Sequence, residues 1–243
     1  MRIRIIAVLT CIFYYADAQE FKTTAFMVDY SFQLPKGDLL DRFGPNSSIG
    51  LSCFFEKENG IFYELNGNYI FGRTVKDSLI LEGISTDIGA IIATDGNYAN
   101  VLLYERGFNT HIMLGYVFRQ LNNNQSGFYL SAGPGFFQHK IRIETRNEDI
   151  PQLTDEYKKG YDKLTSGLST KWIFDYRYFS KKGRFQCYAG IELIYAFTKN
   201  RRTYLFNKMQ YTDQTLRRDI LLGIRTGIII PINRRNTEEF HYF

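Results

Sequence analysis

Apolar and polar residues alternate with a period of two along most of this chain. Successive side chains of a β-strand point to opposite faces, so this alternation predicts strands with one apolar and one polar face. Eight segments show the pattern: 21–33, 47–57, 61–72, 108–120, 127–143, 167–180, 184–197 and 218–232. Each is long enough for the ~9–11 residues that a tilted strand needs to cross a membrane. The pattern therefore predicts an all-β chain of eight strands.

Two of these strands show their faces clearly. Ile224 and Ile228 fall opposite Arg225 in the last strand, and Trp172 falls opposite Lys171 in an earlier one. A soluble sandwich would bury its apolar face and scatter charge outside, whereas here the apolar face is wide and aromatic near both ends, as lipid contact requires. We therefore expect a transmembrane, antiparallel up-and-down β-barrel. A soluble, lipocalin-like barrel is the alternative.

The connections between the predicted strands alternate between short and long. The short ones, rich in Asn, Gly and Lys, are 58–60, 122–126 and 181–183. The long ones are 34–46, 73–107, 144–166 and 198–217. Bacterial barrels have short periplasmic turns and long extracellular loops, so an even strand number places both chain ends in the periplasm. A further hairpin within 73–107 would raise the number of strands to ten.

The first residues have the organisation of a secretory signal peptide. Two arginines precede an apolar run over 5–15, and Ala16-Asp17-Ala18 closes it. A basic start, a short apolar core and an A-x-A site predict cleavage after Ala18, leaving a barrel domain over 19–243. The alternatives are lipid attachment at Cys11 and a buried N-terminal helix.

Composition narrows the class further. Aromatic residues make up 16% of the chain, with 18 Tyr and 21 Phe but a single Trp. No apolar run after the predicted signal approaches ~18 residues, which excludes a helical membrane protein. Cys53 and Cys187 fall in the apolar phase of predicted strands, so we interpret them as packing residues and not as a disulfide.

Several stretches resemble the small outer-membrane β-barrel proteins of Bacteroidota. These stretches are Leu34-Pro35-Lys36-Gly37-Asp38-Leu39, Ala132-Gly133-Pro134-Gly135-Phe136-Phe137, Leu222-Gly223-Ile224-Arg225-Thr226-Gly227 and the terminal aromatics Phe240, Tyr242 and Phe243. The resemblance implies an outer-membrane location, and some members of such families serve secretion or barrel-assembly machineries. The chain departs from the usual pattern because the polar stretch 233–239 separates the last strand from Phe243.

Charged residues recur on the polar face of the predicted strands. They are Asp29, Glu64, Lys171, Asp175, Arg177, Glu192 and Arg225, with Glu56 in the same phase. An eight-stranded barrel is just wide enough for side chains to fill it, and unpaired buried charges would be costly. We therefore expect a network of paired charges that plugs the lumen. A conduction path or proton relay is the alternative.

Few residues are candidates for catalysis or for binding a metal or cofactor. An enzyme at the outer rim would need a general base beside a nucleophile or carboxylate, and His139 with Glu144 is the only sensible pair. The other interpretation of His139 is a polar rim residue beside Lys140 and Arg142. His111 and the two strand cysteines have no metal-ligand spacing, and the glycines around Pro134 lack a phosphate-loop context. We therefore predict no enzyme, metal or cofactor.

The long loops carry the remaining signals. Ile88, Ala90, Ile91, Ile92 and Ala93 form an apolar patch in the second loop. Aromatic and basic candidates for contact with a partner or with lipopolysaccharide are Tyr157, Tyr161, Lys199, Arg201, Arg202 and Lys208. The net charge of +5 is not gathered in one stripe, which disfavours nucleic acid.

These observations together predict a non-enzymatic barrel whose loops dock another outer-membrane protein, as an accessory subunit of a secretion or assembly complex. A rim enzyme acting on lipid or peptide and a passive structural or adhesive barrel are the alternatives.

Overall fold

Eight antiparallel strands close into a single barrel. The computed structural model describes residues 21–119, 126–146, 149–180 and 186–232. The barrel strands are β1 Phe21–Gly37, β2 Asn46–Lys57, β3 Ile61–Gly72, β4 Leu102–Arg119, β5 Gly127–Glu144, β6 Thr165–Phe179, β7 Gln186–Asn200 and β8 Arg217–Pro231. The predicted all-β, antiparallel barrel is confirmed.

Each strand pairs with its neighbours in the chain, and β1 pairs with β8 to close the ring. Tyr30, for example, lies opposite Ile49 of β2 on one side and Thr226 of β8 on the other. The second loop contributes only the short pair Ile91–Ile92 and Tyr98–Ala99, which stands apart from the barrel sheet. The barrel therefore has eight strands and not ten.

The long loops, here numbered 1 to 4, span 38–45, 73–101, 145–164 and 201–216. They are shorter than predicted because the strands extend further toward them. The ladder between β4 and β5 continues to the pair Leu102 and Glu144, so β4 begins at Leu102 and not at 108. The turn 58–60 is tight, and Gly60 adopts a φ of 83° that favours glycine.

Loops 2 to 4 contain short helices and one more strand pair. The 3₁₀ helices are Ser78–Ile84, Pro151–Leu153 and Phe206–Lys208, the α-helix α1 is Lys158–Tyr161, and Tyr204–Leu205 pairs with Gln210–Tyr211. No helix in the described part of the chain is long and apolar enough to cross a membrane.

Several predictions concern residues outside the described ranges. They are the signal peptide over 1–18 with Cys11, most of the turn 122–126, the turn 181–183, and the terminal segment 233–243 with its aromatics.

The two faces of the sheet have the predicted orientation. Trp172 and Ile224 point outward with 54% and 68% of their surface exposed, while Lys171, Arg177 and Arg225 point inward and are fully buried. The ladder between β4 and β5 is interrupted beside Pro134, which has no backbone N–H to donate.

Inside the barrel, two apolar layers enclose an ionic one. The layer nearest the turns consists of Ala25, Met27, Phe54, Phe62, Val117, Tyr129, Phe179, Tyr188 and Ile229. The layer nearest the loops includes strand residues such as Phe137 and Ile194, and it continues into loop residues such as Leu39, Phe43 and Ile80. The loops therefore pack onto the end of the barrel and do not stand free above it.

Candidate functional site

Arg177 occupies the centre of the ionic layer. Its Nη2 donates to Glu64 Oε2 at 3.0 Å and its Nε donates to Asp175 Oδ1 at 2.9 Å. The guanidinium lies 4.4 Å from the ring centroid of Tyr129 and 4.6 Å from that of Phe54. The cation is thus held by two carboxylates on one side and by aromatic faces of the turn-side layer on the other.

Arg225 joins this group to the opposite wall. Its Nη2 donates to Asp29 Oδ1 at 3.3 Å and to the Tyr188 hydroxyl at 3.0 Å. It also lies 3.8 Å from a carboxylate oxygen of Glu64, and its Nη1 lies 3.8 Å from one of Asp175. Two arginines therefore share Glu64 and Asp175.

Lys171 forms a second ionic group. Its Nζ lies 2.9 Å from Glu192 Oε2 and donates to Asn66 Oδ1 at 2.9 Å. Gln33 Nε2 donates to the other oxygen of Glu192 at 2.6 Å. Both ions of the pair have fully buried side chains. The carboxylate is therefore held by one cation and one neutral donor.

Glycine on the inner wall makes room for this network. A Cβ at Gly50 would lie 2.6 Å from Asp29 Oδ2 and from Asn68 Oδ1, closer than real contacts allow. The absence of a side chain at this position lets the Asp29 carboxylate lie against the backbone of β2.

The structure thus brings all seven residues of the predicted lumen network into one buried layer. Glu56 lies apart, near the turns, where it pairs with Arg119 and accepts a hydrogen bond of 3.3 Å from the Tyr129 hydroxyl. Arg119 was not predicted, although its inward phase in β4 matches that of His111 and Met113.

The structure does not bring together His139 and Glu144, the candidate pair of the enzyme alternative. His139 points into the barrel, where it is buried and its Nε2 lies 3.0 Å from Asp219 Oδ2. The Thr198 hydroxyl donates to the same oxygen at 2.5 Å. Glu144 has the opposite strand phase and lines grooves on the outer wall. His139 is therefore neither a rim residue nor a partner of Glu144.

A second histidine contact escaped the sequence analysis. His111 Nε2 lies 2.9 Å from the Ser169 hydroxyl, across the lumen. Both residues are buried. A nucleophile needs contact with its substrate, and this pair lies inside the filled barrel between β4 and β6, so the geometry gives it a structural role.

Partly buried ion pairs hold loops 2, 3 and 4 to one another. Arg202 of loop 4 binds Asp162 of loop 3 through two hydrogen bonds, of 2.8 and 2.5 Å. Lys163 pairs with Asp77 of loop 2. Burial lowers the pKa of the Lys163 amine, while the hydrogen bond to Asp77 opposes this shift.

Loop 1 is held to the barrel by Arg42, which donates a hydrogen bond of 2.8 Å to Thr165, the first residue of β6. Burial lowers the pKa of the Arg42 guanidinium to about 10.

The predicted contact residues of the loops divide into two groups. Tyr157, Lys199, Arg201 and Lys208 are exposed. Tyr161 is only 6% exposed, so its expected availability to a partner is wrong. Its ring packs edge-on against Phe206 with centroids 5.4 Å apart.

The remaining predicted contact residue, Arg202, is half-buried and pairs with Asp162 of loop 3.

The apolar patch of loop 2 is partly exposed and partly buried. Ile88 and Ile92 are exposed, but Ile91 and Ala93 are buried in the loop-side layer. The exposed apolar surface of this loop is therefore smaller than the sequence suggests.

Outward-facing charge is confined to the ends of the described strands. At the loop end these residues are Lys36, Arg106, Lys140, Arg142, Glu144, Lys199 and Arg218. We call the six cations the basic ring. Among the strand residues from 23 to 232 whose side chains the structure describes, the outer face between this ring and the turns carries no charge except Lys57 beside the first turn.

Two further expectations concern cysteine and metal. Cys53 and Cys187 are free thiols, as the interpretation of packing residues requires. In the part of the chain that the structure describes, no group of three His, Cys, Asp or Glu side chains could hold a metal ion.

The chain thus defines a closed eight-stranded antiparallel barrel with an ionic interior and an apolar exterior. Among solved structures it is similar to Neisserial surface protein A, with a TM-score of 0.44 and 10% identity over 84% of this chain and 96% of that one. It is also similar to the outer membrane protein OprG from Pseudomonas aeruginosa (TM-score 0.41, 12% identity, 87% and 98% covered) and to Ail, the attachment invasion locus protein of Yersinia pestis (0.38, 9%, 87% and 100%). No family model and no curated protein matches the chain. Likeness at these scores says nothing about function.

Proposed function

We propose that this protein is a non-enzymatic barrel of a Gram-negative outer membrane, with a lumen that its own side chains plug. The observation that carries the proposal is the inverted distribution of charge. Lys171, Arg177 and Arg225 are fully buried inside, whereas exposed residues such as Trp172 and Ile224 cover the outside. Water would not stabilise such an exterior, but hydrocarbon would.

The basic ring supports an orientation. Cations next to an apolar belt are favourable beside anionic head groups, and the outer leaflet of such a membrane carries phosphorylated lipopolysaccharide. We infer that the loops face outward and that the turns and both chain ends face the periplasm. The Bacteroidota origin remains a prediction that rests on the resemblance alone.

Reconstitution tests this proposal. We expect the purified chain to insert into lipid vesicles, to show folded and unfolded forms that separate on unheated gels, and to give no ion conductance above protein-free bilayers. The two apolar layers and the paired charges between them support a lumen without a continuous aqueous path. A chain that stays soluble and folded without detergent would contradict the location, and stepwise channel openings would contradict the plugged lumen.

Exposed apolar residues in loops 2 and 4 support a docking role. Ile88 and Tyr98 of loop 2 and Met209 and Tyr211 of loop 4 have between 68% and 79% of their surface exposed. Apolar surface of this kind is typical of protein contacts. We propose another outer-membrane protein as the partner, with this chain as an accessory subunit of a secretion or assembly complex.

Site-specific photocrosslinking tests the docking role. A photoreactive residue at Ile88 or Tyr211 is expected to form one discrete protein adduct in intact cells, and Ile88→Asp is expected to reduce co-purification of that protein by about tenfold, because it places a charge in an apolar contact. Gln214→Asp, exposed in loop 4, is the matched control and should have no effect. Absence of any protein adduct would leave the passive barrel as the better explanation.

A further inference from the structure

A groove of about 630 Å³ lies on the outer wall at the loop end of β4 and β5. Arg106, Lys140 and Arg142 line it from the two strands, and Lys159 of α1 lines it from loop 3. Tyr69 and Phe108, which are opposite each other in the ladder between β3 and β4, also line it. The groove therefore joins a basic part to an aromatic part.

The cations of the groove are unusually close in the sheet. Arg106 lies directly opposite Lys140. Arg142 lies opposite Tyr104 in the neighbouring pair on the same face, two residues nearer the loops. Side chains directly opposite on one face have Cβ atoms only ~4.5–5.5 Å apart, and like charges in such positions repel. An anion bound between them would remove this repulsion.

None of these three side chains forms a direct ion pair with a described carboxylate. In the described ranges, no carboxylate lies within the 4.0 Å of an ion pair with Arg106, Lys140 or Arg142. Of the three acids that line the groove, Asp155 and Asp162 pair with Lys158 and Arg202, and Glu144 forms no ion pair in the described ranges. The side chain of Arg106 is held in place by a 2.7 Å hydrogen bond to the Glu105 carbonyl and by the ring of Tyr104, 5.0 Å away.

The aromatic part of the groove points to an amphiphile. Tyr69 and Phe108 are half-exposed on the outer wall, next to Phe71 and Phe136, with which they form ring pairs. Aromatic residues between an apolar surface and a ring of charged residues are typical of the boundary between hydrocarbon and head groups. A soluble anion would need the cations only, whereas a lipid would use both parts.

From these observations we propose that the groove binds the phosphorylated sugar head group of an outer-leaflet glycolipid, as in lipid A. One phosphate lies between Arg106, Lys140 and Arg142, and the acyl chains descend along the aromatic and apolar wall below. The inference rests on the proposed membrane location, which it deepens by naming a lipid and a place on the wall.

The test compares two triple variants of the full barrel in detergent, by native mass spectrometry with purified lipid A. R106Q/K140Q/R142Q removes the groove cations. K36Q/K57Q/R218Q removes three outward cations elsewhere on the strands and changes the net charge equally. We expect the groove variant to bind lipid A about 100-fold more weakly than the parent and the control variant to differ less than about threefold. R106K/R142K, which keeps the charge, is expected to retain binding.

Three outcomes would overturn the inference. Equal losses in the two triple variants would show general attraction without a site. Undiminished binding of dephosphorylated lipid A would show that phosphate is not recognised. Inorganic phosphate that competes as well as the lipid would assign the groove to a soluble anion. Unheated gels of each variant monitor folding, and failure of the parent itself to insert into vesicles would refute the membrane location before the groove is tested.

Discussion

Lys171→Met is expected to destabilise the folded barrel by about 3–5 kcal/mol, the usual cost of breaking a buried ion pair from one side. Methionine has a similar length but no charge, so Glu192 loses the cation at 2.9 Å and keeps the hydrogen bond from the Gln33 amide as its direct contact. The carboxylate cannot reach water, because both apolar layers separate it from the ends of the barrel. Urea unfolding in micelles, followed by tryptophan fluorescence and by the folded band on unheated gels, measures the loss.

The double variant K171M/E192Q provides the control. Neutralising the second partner removes the unpaired charge, while glutamine at 192 can still accept the hydrogen bond from Gln33. Most of the lost stability should therefore return, since a buried pair replaced on both sides is often close to neutral. If the single variant is as stable as the parent, or if the double variant is worse than the single, Lys171 and Glu192 are not a buried ion pair.

The orientation of each strand could be predicted from sequence because alternation fixes the face of a residue. Alternation placed Arg177 and Glu64 inside, but they are 113 residues apart in the chain. Their contact depends on how far each strand is shifted along its neighbour around the closed barrel. No local pattern contains that shift, so the partners across the lumen could not be assigned.

The error over His139 has a different origin. Toward the loops, the alternation of β5 inverts, since Phe137 and Ile141 point inward while Lys140 and Arg142 point outward. This part of the strand packs against the loops and lies beyond the apolar belt, so its interior is apolar and its exterior charged. The inversion is visible in the sequence and marks the end of the apolar exterior. The inward phase of Tyr129 and Ser131, continued along the strand, places His139 inside, whereas its polar character alone indicates an exposed rim.

Loop residues were the least predictable. Exposure of Tyr161 depends on the position of Phe206, which belongs to another loop, and that position depends on ionic contacts such as the one between Arg202 and Asp162. Sequence shows that these loops are aromatic and charged. It does not show that they bind one another, because each contact joins segments with no common strand pattern.

Ile224→Arg is the second substitution with a large expected effect. Ile224 lies at the middle of β8, faces outward and is 68% exposed. Arginine at the midplane of a bilayer costs a transmembrane barrel about 2–4 kcal/mol, whereas an exposed substitution in a soluble protein stays within about 0.5 kcal/mol. We therefore expect a loss of about 2–4 kcal/mol in unfolding experiments in lipid vesicles.

Ile88→Arg is the matched control, since Ile88 lies in loop 2 and is 73% exposed. The same chemical change at similar exposure should leave stability unchanged there, because the loop lies in water in either environment. The difference between the two variants thus separates contact with hydrocarbon from exposure as such. Equal, small effects at both positions would mean that the outer face of β8 meets water, and the membrane location would then be wrong.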